Sequence, residues 1–295
     1  MKLTNKLRLP EVIMRATRND SYTKGEADIS VTELLSPPQL RKLRHANYAD
    51  LEEDVCDRVA SLRGQAFHAI IERAARDDPT ALTEVTVYSK YLGWTVKGQV
   101  DHVLITEGKL LDFKETTARK LMGGGVPREW VAQTNIYRRL LHREKGIVIG
   151  AIAILAFPKD WSKRESRQSQ DYPQTAVVQL EVPMWTDEEA DAFIEERIRL
   201  HQMDEPPPCS EEDVWARPDK YAVMKRGNVR AIRVYGNALD AELHARQSSA
   251  FYVEHRQGDA VRCRDWCQVS HLCPQWQSDP RNRPAQSVEE SLFNA

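Results

Sequence analysis

Trp94-Thr95-Val96-Lys97-Gly98-Gln99-Val100-Asp101-His102-Val103-Leu104 and, beyond Glu107-Gly108, Lys109-Leu110-Leu111-Asp112-Phe113-Lys114-Glu115-Thr116 form the stretch on which the fold turns. Both halves, 94–106 and 109–116, read as strands, and Glu107-Gly108 marks the turn of a hairpin. Side chains two residues apart on a strand share a face, so Asp112 and Lys114 project together. Asp101 lies on the preceding strand, and cross-strand neighbours stand about 5 Å apart at Cβ. Two carboxylates that close repel each other unless a cation neutralises them. Hard oxygen ligands that leave room for water and phosphate favour Mg²⁺ or Mn²⁺, and the Phe113 carbonyl is a further candidate ligand. Phosphodiester hydrolysis suits this set: the cation polarises a phosphoryl oxygen while Lys114 positions the water or offsets the developing charge. A solitary D-x-K is more often an acid–base pair on a surface strand, so the meaning of this one depends on its surroundings.

Upstream, Ser30-Val31-Thr32-Glu33-Leu34-Leu35 reads as a capped helical turn ahead of Pro37-Pro38, followed by a helix over 39–44. A longer helix is predicted over 54–75, with Val59, Leu62, Ala66, Ala69, Ile70 and Ala74 as its buried stripe. A strand over 84–89 leads into the hairpin. Downstream come a helix over 129–144, the apolar run Ile147 to Phe157 as a strand buried on both faces, and a strand over 176–182. Thr186 with Glu189 is a capping box opening a helix that reaches Met203, and 159–170 reads as loop. The order predicts an α/β fold, a mixed β-sheet flanked by helices. The expected division is an N-terminal helical segment (1–53), a core (54–204), a cysteine-bearing C-terminal region (205–276) and a flexible tail (277–295).

The chain of 295 residues is 41% hydrophobic, enough for a proper core. Its longest apolar run is too short to span a bilayer, and no signal-type stretch follows the early charges, so no membrane partner and a cytoplasmic location are expected. A formal net charge of −2 excludes binding of nucleic acid by bulk positive charge and leaves only local patches. Two are visible: Arg138, Arg139, Arg143 and Lys145, and Lys225, Arg226, Arg230 and Arg233. A solvated basic face is the default reading of either.

Gly64-Gln65-Ala66-Phe67-His68, Gly98-Gln99-Val100-Asp101, Asp112-Phe113-Lys114 and Gln133-Thr134-Asn135-Ile136-Tyr137 follow one another in this chain. In order and approximate spacing they resemble the motifs of RecB-like PD-(D/E)XK nucleases, especially phage-type exonucleases and CRISPR-associated spacer-acquisition nucleases. The resemblance covers about 31–157 and the terminal cysteines. It implies a restriction-endonuclease-like core in which His68, Asp101 and Asp112 hold the metal and Lys114 is the catalytic lysine. It also implies that Gln133 and Tyr137, four apart on one helix face, hold substrate. Without the resemblance, His68 reads as a core histidine, Tyr137 as a core tyrosine, and Gln133 as an exposed residue. Glu72, one turn beyond His68, reads as a surface glutamate.

Of the five cysteines, Cys263, Cys267 and Cys273 crowd near the C-terminus and Cys209 stands upstream, a pattern favouring metal ligation over disulfides. The resembled nucleases often hold a four-iron four-sulfur cluster with one distant and three C-terminal cysteines. Here the spacing is C-x₃-C-x₅-C rather than one containing C-x₂-C, and no cysteine lies near Ser36-Pro37-Pro38 where the early one is expected. A cluster, a Zn²⁺ site that could include His271, and buried reduced thiols all remain open. The function expected is a metal-dependent deoxyribonuclease acting on DNA. An exonuclease of recombination, repair or phage genome processing, in a bacterial or phage-infected cell and with a recombination or replication protein as partner, fits better than a sequence-specific cutter, because no base-reading module is visible. The alternative is a catalytically inactive DNA-binding or scaffold protein on the same fold, which gives no reason for a lysine beside paired carboxylates.

Overall fold

The computed structural model describes residues 1–18 and 25–282. The described residues form two compact units, one within 1–36 and 52–204 and the other within 37–51 and 205–282. The first contains, in chain order, β1 (Ile29–Ser30), α1 (Val31–Leu35), α2 (Val59–Ala75), β2 (Ala81–Tyr91), β3 (Trp94–Leu104), β4 (Lys109–Thr116), α3 (Arg128–Lys145), β5 (Ala151–Pro158), β6 (Val178–Glu181) and α4 (Asp187–Gln202). The hairpin read from the sequence is β3–β4, but β3 ends at Leu104 rather than 106 and the turn spans 105–108 rather than Glu107-Gly108 alone, so the antiparallel pairs are His102↔Leu111, Val103↔Leu110 and Leu104↔Lys109. Along its other edge β3 takes β2, antiparallel from Ala81↔Leu104 to Tyr91↔Trp94 with a break at Glu84. Beside β4 it also takes β1, parallel at Val96 and Lys97. β4 then runs parallel to β5, and β5 antiparallel to β6. The fold is therefore α/β, a mixed sheet flanked by helices.

The core of this unit gathers Ile29, Leu34, Val100, Leu110, Ile136, Leu140, Ile152, Ile154, Ile194 and Ile198, all essentially inaccessible. Each such side chain contributes about 1.5–3 kcal/mol by leaving water. α3 can settle on β3 because Gly98 lacks a side chain. A methyl group there would lie 3.1 Å from Tyr137, Leu140 and Val87 side chains, tighter than ordinary contact. Both capping boxes form: Ser30 with Glu33 opens α1, and Thr186 with Glu189 opens α4.

Five further expectations need correction. The covered face of α2 is not the expected stripe, since Val59, Ala66, Ala69, Ile70 and Ala74 are exposed while Leu62, Phe67, His68 and Ile71 are half-buried. Phe67 meets the rings of Phe113 and Phe157, and burying one such ring outweighs burying alanine methyls. The run expected as a strand over 147–157 enters the ladder only at Ala151, after Gly150 N–H has bonded the Gly108 carbonyl at 2.7 Å. The loop expected over 159–170 contains a helix, Lys163–Gln168, capped by the Ser162 side chain. The tail expected from 277 is ordered through 282, where Arg281 is held by Asp279 and Glu211; residues 283–295 lie outside the described ones. The segment expected as 1–53 also divides between the units: it holds Lys2–Thr4, which pairs parallel with Glu52–Asp54, and Pro38–Ala46, a helix of the second unit.

The second unit contains β7 (Lys220–Lys225), β8 (Arg233–Tyr235), α5 (Ala238–Ala245) and β9 (Phe251–Arg256), with the strands forming an antiparallel sheet in the order β8-β7-β9. A separate small core gathers Val214, Ala260, Cys273 and Trp276, with Leu43, Cys209, Ala216 and Cys263 packed against it. Among the described residues, no helix is long and apolar enough to cross a membrane.

Candidate active site

The β3–β4 ladder stops at His102↔Leu111, and the next opposed positions are Asp101 and Asp112. There a side chain replaces the backbone ladder: Asp101 Oδ2 accepts the Phe113 N–H at 2.7 Å. Asp112, 1% exposed, accepts no hydrogen bond at either carboxylate oxygen. Lys114 Nζ lies 2.8 Å from its Oδ2, an ion pair in distance whose angles are not those of a hydrogen bond. Burial pulls the Lys114 ammonium down, but Asp112 and Asp101 beside it outweigh that and hold its pKa above the usual lysine value. For Asp101, burial and then the neighbouring Asp112 push the carboxyl up to about 7, against the opposing pull of Lys114, His68 and the Phe113 N–H.

His68 reaches this place from α2. Its Nδ1 lies 2.8 Å from Glu84 Oε1 and 3.8 Å from Asp101 Oδ1. The hydrogen bond to Glu84 holds the His68 pKa above that of a free imidazole, although burial opposes it. For Glu84, burial raises the pKa, yet the hydrogen bonds from His68 and Gln99 prevail and lower it. Glu84, unlike Glu72, is therefore the carboxylate that orients the imidazole. Gln99 donates to its other oxygen at 2.6 Å. Ligand atoms of His68, Glu84 and Asp101 lie within 4.8 Å of one another, close enough to share a cation. Asp112 stands outside that set, tied to Lys114.

Glu84 is the residue that the sequence reading missed, although a signal for it existed. The β2–β3 hairpin turns through two residues, Leu92 and Gly93, with φ of 48° and 83°, between paired Tyr91 and Trp94. Counting back from that turn puts position 84 opposite position 101. Leucine at a left-handed turn position is unusual, and that concealed the hairpin. Glu84 itself has φ of 51° inside a strand, and the ladder skips it between Thr83↔His102 and Val85↔Val100. Such a backbone costs about 1–3 kcal/mol and accompanies sites whose surroundings hold it in place. Glu84→Gly relieves that strain while adding the entropic cost of glycine, so the melt is expected to stay within about 1 kcal/mol of the parent. Mg²⁺ or Mn²⁺ affinity should nevertheless fall by about 10–100-fold, as when an orienting carboxylate is lost. Calorimetric titration of the metal measures this, and unchanged affinity would remove Glu84 from the site.

Gln133 and Tyr137 share a face of α3, and the Gln133 amide donates to the Tyr137 hydroxyl at 2.8 Å. Tyr137 is buried and packs over Gly98, and Gln133 is half-buried.

In the second unit, Cys209, Cys263, Cys267 and Cys273 line one apolar cavity with Leu40 and Trp276. Burial pushes the Cys209 thiol up to about 12, with Asp213 and the other thiols adding to it, and the Cys263 thiol up to about 11. The Cys273 sulfur accepts the Gln39 amide at 3.6 Å. Among the described residues, no three of these sulfurs come within 4.8 Å of one another. His271 is exposed and does not line the cavity, and Cys56 lies in the first unit.

No protein-family model matches the chain, and no curated protein sequence does. Among solved structures, the crystal structure of SSO0001 is similar at a TM-score of 0.45 and 16% identity, covering 66% of this chain and 86% of that one.

Proposed function

We propose that this protein is a metal-dependent DNA nuclease with a PD-(D/E)XK core, acting as an exonuclease in recombination, repair or phage genome processing. The observation that carries this reading is Asp112: a fully buried carboxylate without a hydrogen bond, ion-paired to a buried lysine and adjoining a His–Glu–Asp set of ligand spacing. A fully buried carboxylate met by a single lysine is costly in a purely structural role, and a cation beside it would offset that cost. His68, Glu84 and Asp101 would hold it, Asp112 would join them by turning from Lys114, and the Phe113 carbonyl would be a further oxygen. Mg²⁺ or Mn²⁺ bound there supplies Lewis acidity toward a phosphoryl oxygen and activates water. Lys114, kept protonated by two carboxylates, offsets charge developing on the phosphate, and Glu84 fixes the His68 ring. The Gln133–Tyr137 pair serves substrate use through α3, which Gly98 admits close to the strand bearing Asp101.

The four cysteines fit a polynuclear cluster better than a single zinc. Zinc at about 2.3 Å from each sulfur brings the sulfurs about 3.8 Å apart, closer than this cavity holds any three of them. A four-iron four-sulfur cluster takes four separate thiolates and would tie the ends of the second unit together.

The test is incubation of the purified protein with end-labelled linear DNA and closed circular DNA, with Mg²⁺, Mn²⁺ or chelator. Degradation of the linear substrate alone, abolished by chelator, is expected. Cutting of both substrates makes it an endonuclease, and DNA binding without cleavage makes it the inactive scaffold.

A further inference from the structure

Of the two basic runs in the chain, the structure pairs the three arginines of one with carboxylates and, among the described residues, pairs none of the cations of the other. On α3, Arg138 lies 2.7 Å from Asp187, Arg139 lies 2.7 Å from Asp187 and 2.6 Å from Asp191, and Arg143 lies 3.5 Å from Asp191. Those guanidinium groups fasten α4 to α3. The other run is a β-hairpin of the second unit, β7 and β8 with the turn between them. From Lys220 to Leu239 the chain has no acidic residue and five cations, Lys220, Lys225, Arg226, Arg230 and Arg233. All five are exposed, and among the described residues none is in an ion pair; the Arg233 guanidinium only lies over the Tyr235 ring, 5.2 Å from its centroid. On the adjoining strand, Glu254 is already taken by Arg256 at 2.6 Å. The backbone closes the turn through Asn228 N–H to the Lys225 carbonyl at 2.9 Å and Ile232 N–H to the Val223 carbonyl at 2.8 Å. Val229, 94% exposed, sits at the tip between Arg226 and Arg230.

Charges of one sign on a short ribbon repel one another, and a chain with a net charge of −2 has ample carboxylates to offset them. Here no carboxylate among the described residues does so. We infer that the Lys220–Tyr235 hairpin is a docking element for duplex DNA, its cations contacting the phosphates while the ribbon and its apolar tip enter the major groove. A two-stranded ribbon has the width the major groove admits. Binding of a single strand rests instead on free aromatic faces. The rings of this hairpin are occupied: Tyr221 stacks on His255 at 5.0 Å, and Tyr235 lies between Arg233 and His244. Duplex is therefore the occupant that the surface fits. This inference concerns binding alone and stands or falls separately from the cleavage chemistry.

The test measures fluorescence anisotropy of a labelled duplex and of its single strand with the full-length protein in chelator, from about 50 to 200 mM salt. Each phosphate contact contributes about 0.9 to the slope of log K against log salt. The triple variant Arg226→Gln, Arg230→Gln, Arg233→Gln should lose about 2.7 of that slope and at least about tenfold in low-salt duplex affinity. Its melt should match the parent. As a control, Lys163→Gln, Arg164→Gln, Arg167→Gln removes three exposed cations of the first unit and should leave the slope unchanged. The single change Arg230→Gln, costing about 0.9 of slope, keeps the test informative should the triple variant misfold. Parent-like duplex affinity and slope in the folded hairpin variants overturns the inference, as does an equal loss on the single strand or a parent protein that does not bind duplex. Binding lost without any cleavage by the parent supports the hairpin and counts only against the nuclease.

Discussion

Asp112→Ala is expected to cut metal-dependent DNA cleavage by at least about a thousandfold while leaving the protein folded. The side chain is fully buried, accepts no hydrogen bond and repels Asp101, so its removal deletes a ligand and relieves a strained charge together. Lys114→Ala should be nearly as damaging to turnover yet leave metal affinity largely in place, because an ammonium is no ligand. Calorimetric titration with Mn²⁺ separates the two variants. Metal affinity lost in Lys114→Ala, or parent-like cleavage by Asp112→Ala, would sink the respective role. A pH signature accompanies this. In the metal-free protein Asp101 titrates near 7 when folded, against 3.8 for the ordinary carboxyl. The folded state thus binds that proton more tightly than the unfolded one, so the stabilisation is complete below about pH 4 and is lost as the pH rises through about 7. Melting in chelator should therefore fall over this range. Mg²⁺ should stabilise more at pH 8 than at pH 5, since ligands bind metal deprotonated. In Asp112→Asn, whose neutral amide no longer opposes ionisation of Asp101, the fall with pH should shrink. A fall as steep as the parent's would mean that Asp112 does not act on Asp101.

Cys263→Ala with Cys273→Ala is expected to cost far more stability than two truncated thiols can explain. Packing alone assigns about 1–2 kcal/mol to each small core truncation. A metal centre that exists only in the native state adds its whole binding free energy to folding, on the order of 10 kcal/mol for a structural site. The core of the second unit is small, built on Val214, Ala260, Cys273 and Trp276, so it has little else to rely on. Anaerobically purified parent should be brown and carry iron, and the double variant should be colourless with the melt of the second unit lost. Stoichiometric zinc in place of iron would replace the cluster by a zinc site. Neither metal, with a double variant that melts like the parent, would reduce the four thiols to packing residues.

The sequence by itself determined what is local. The β3–β4 hairpin, the capping boxes at Ser30 and Thr186 and the helix carrying Gln133 and Tyr137 each depend on residues a few positions apart, where turn chemistry and periodicity act directly. The register of that hairpin was not legible: counting outward from a two-residue Glu107-Gly108 turn sets Asp101 opposite Lys114, whereas the four-residue turn over 105–108 shifts the pairing by two and sets Asp101 opposite Asp112. Tertiary structure alone decided which face of α2 is covered, since that depended on Phe113 and Phe157 offering rings to Phe67 from strands far along the chain. It likewise decided that Glu84 joins His68 and Asp101, a meeting that needs two hairpins in register and a helix laid against them. The fates of the basic runs diverged for the same reason. Arg138 and Lys225 look alike in sequence, but a capped helix some fifty residues on carries Asp187 and Asp191 to the first run, and among the described residues no carboxylate pairs with the second. Charge type is written in the residue, whereas neutralisation falls off with distance, and only the packed chain sets that distance.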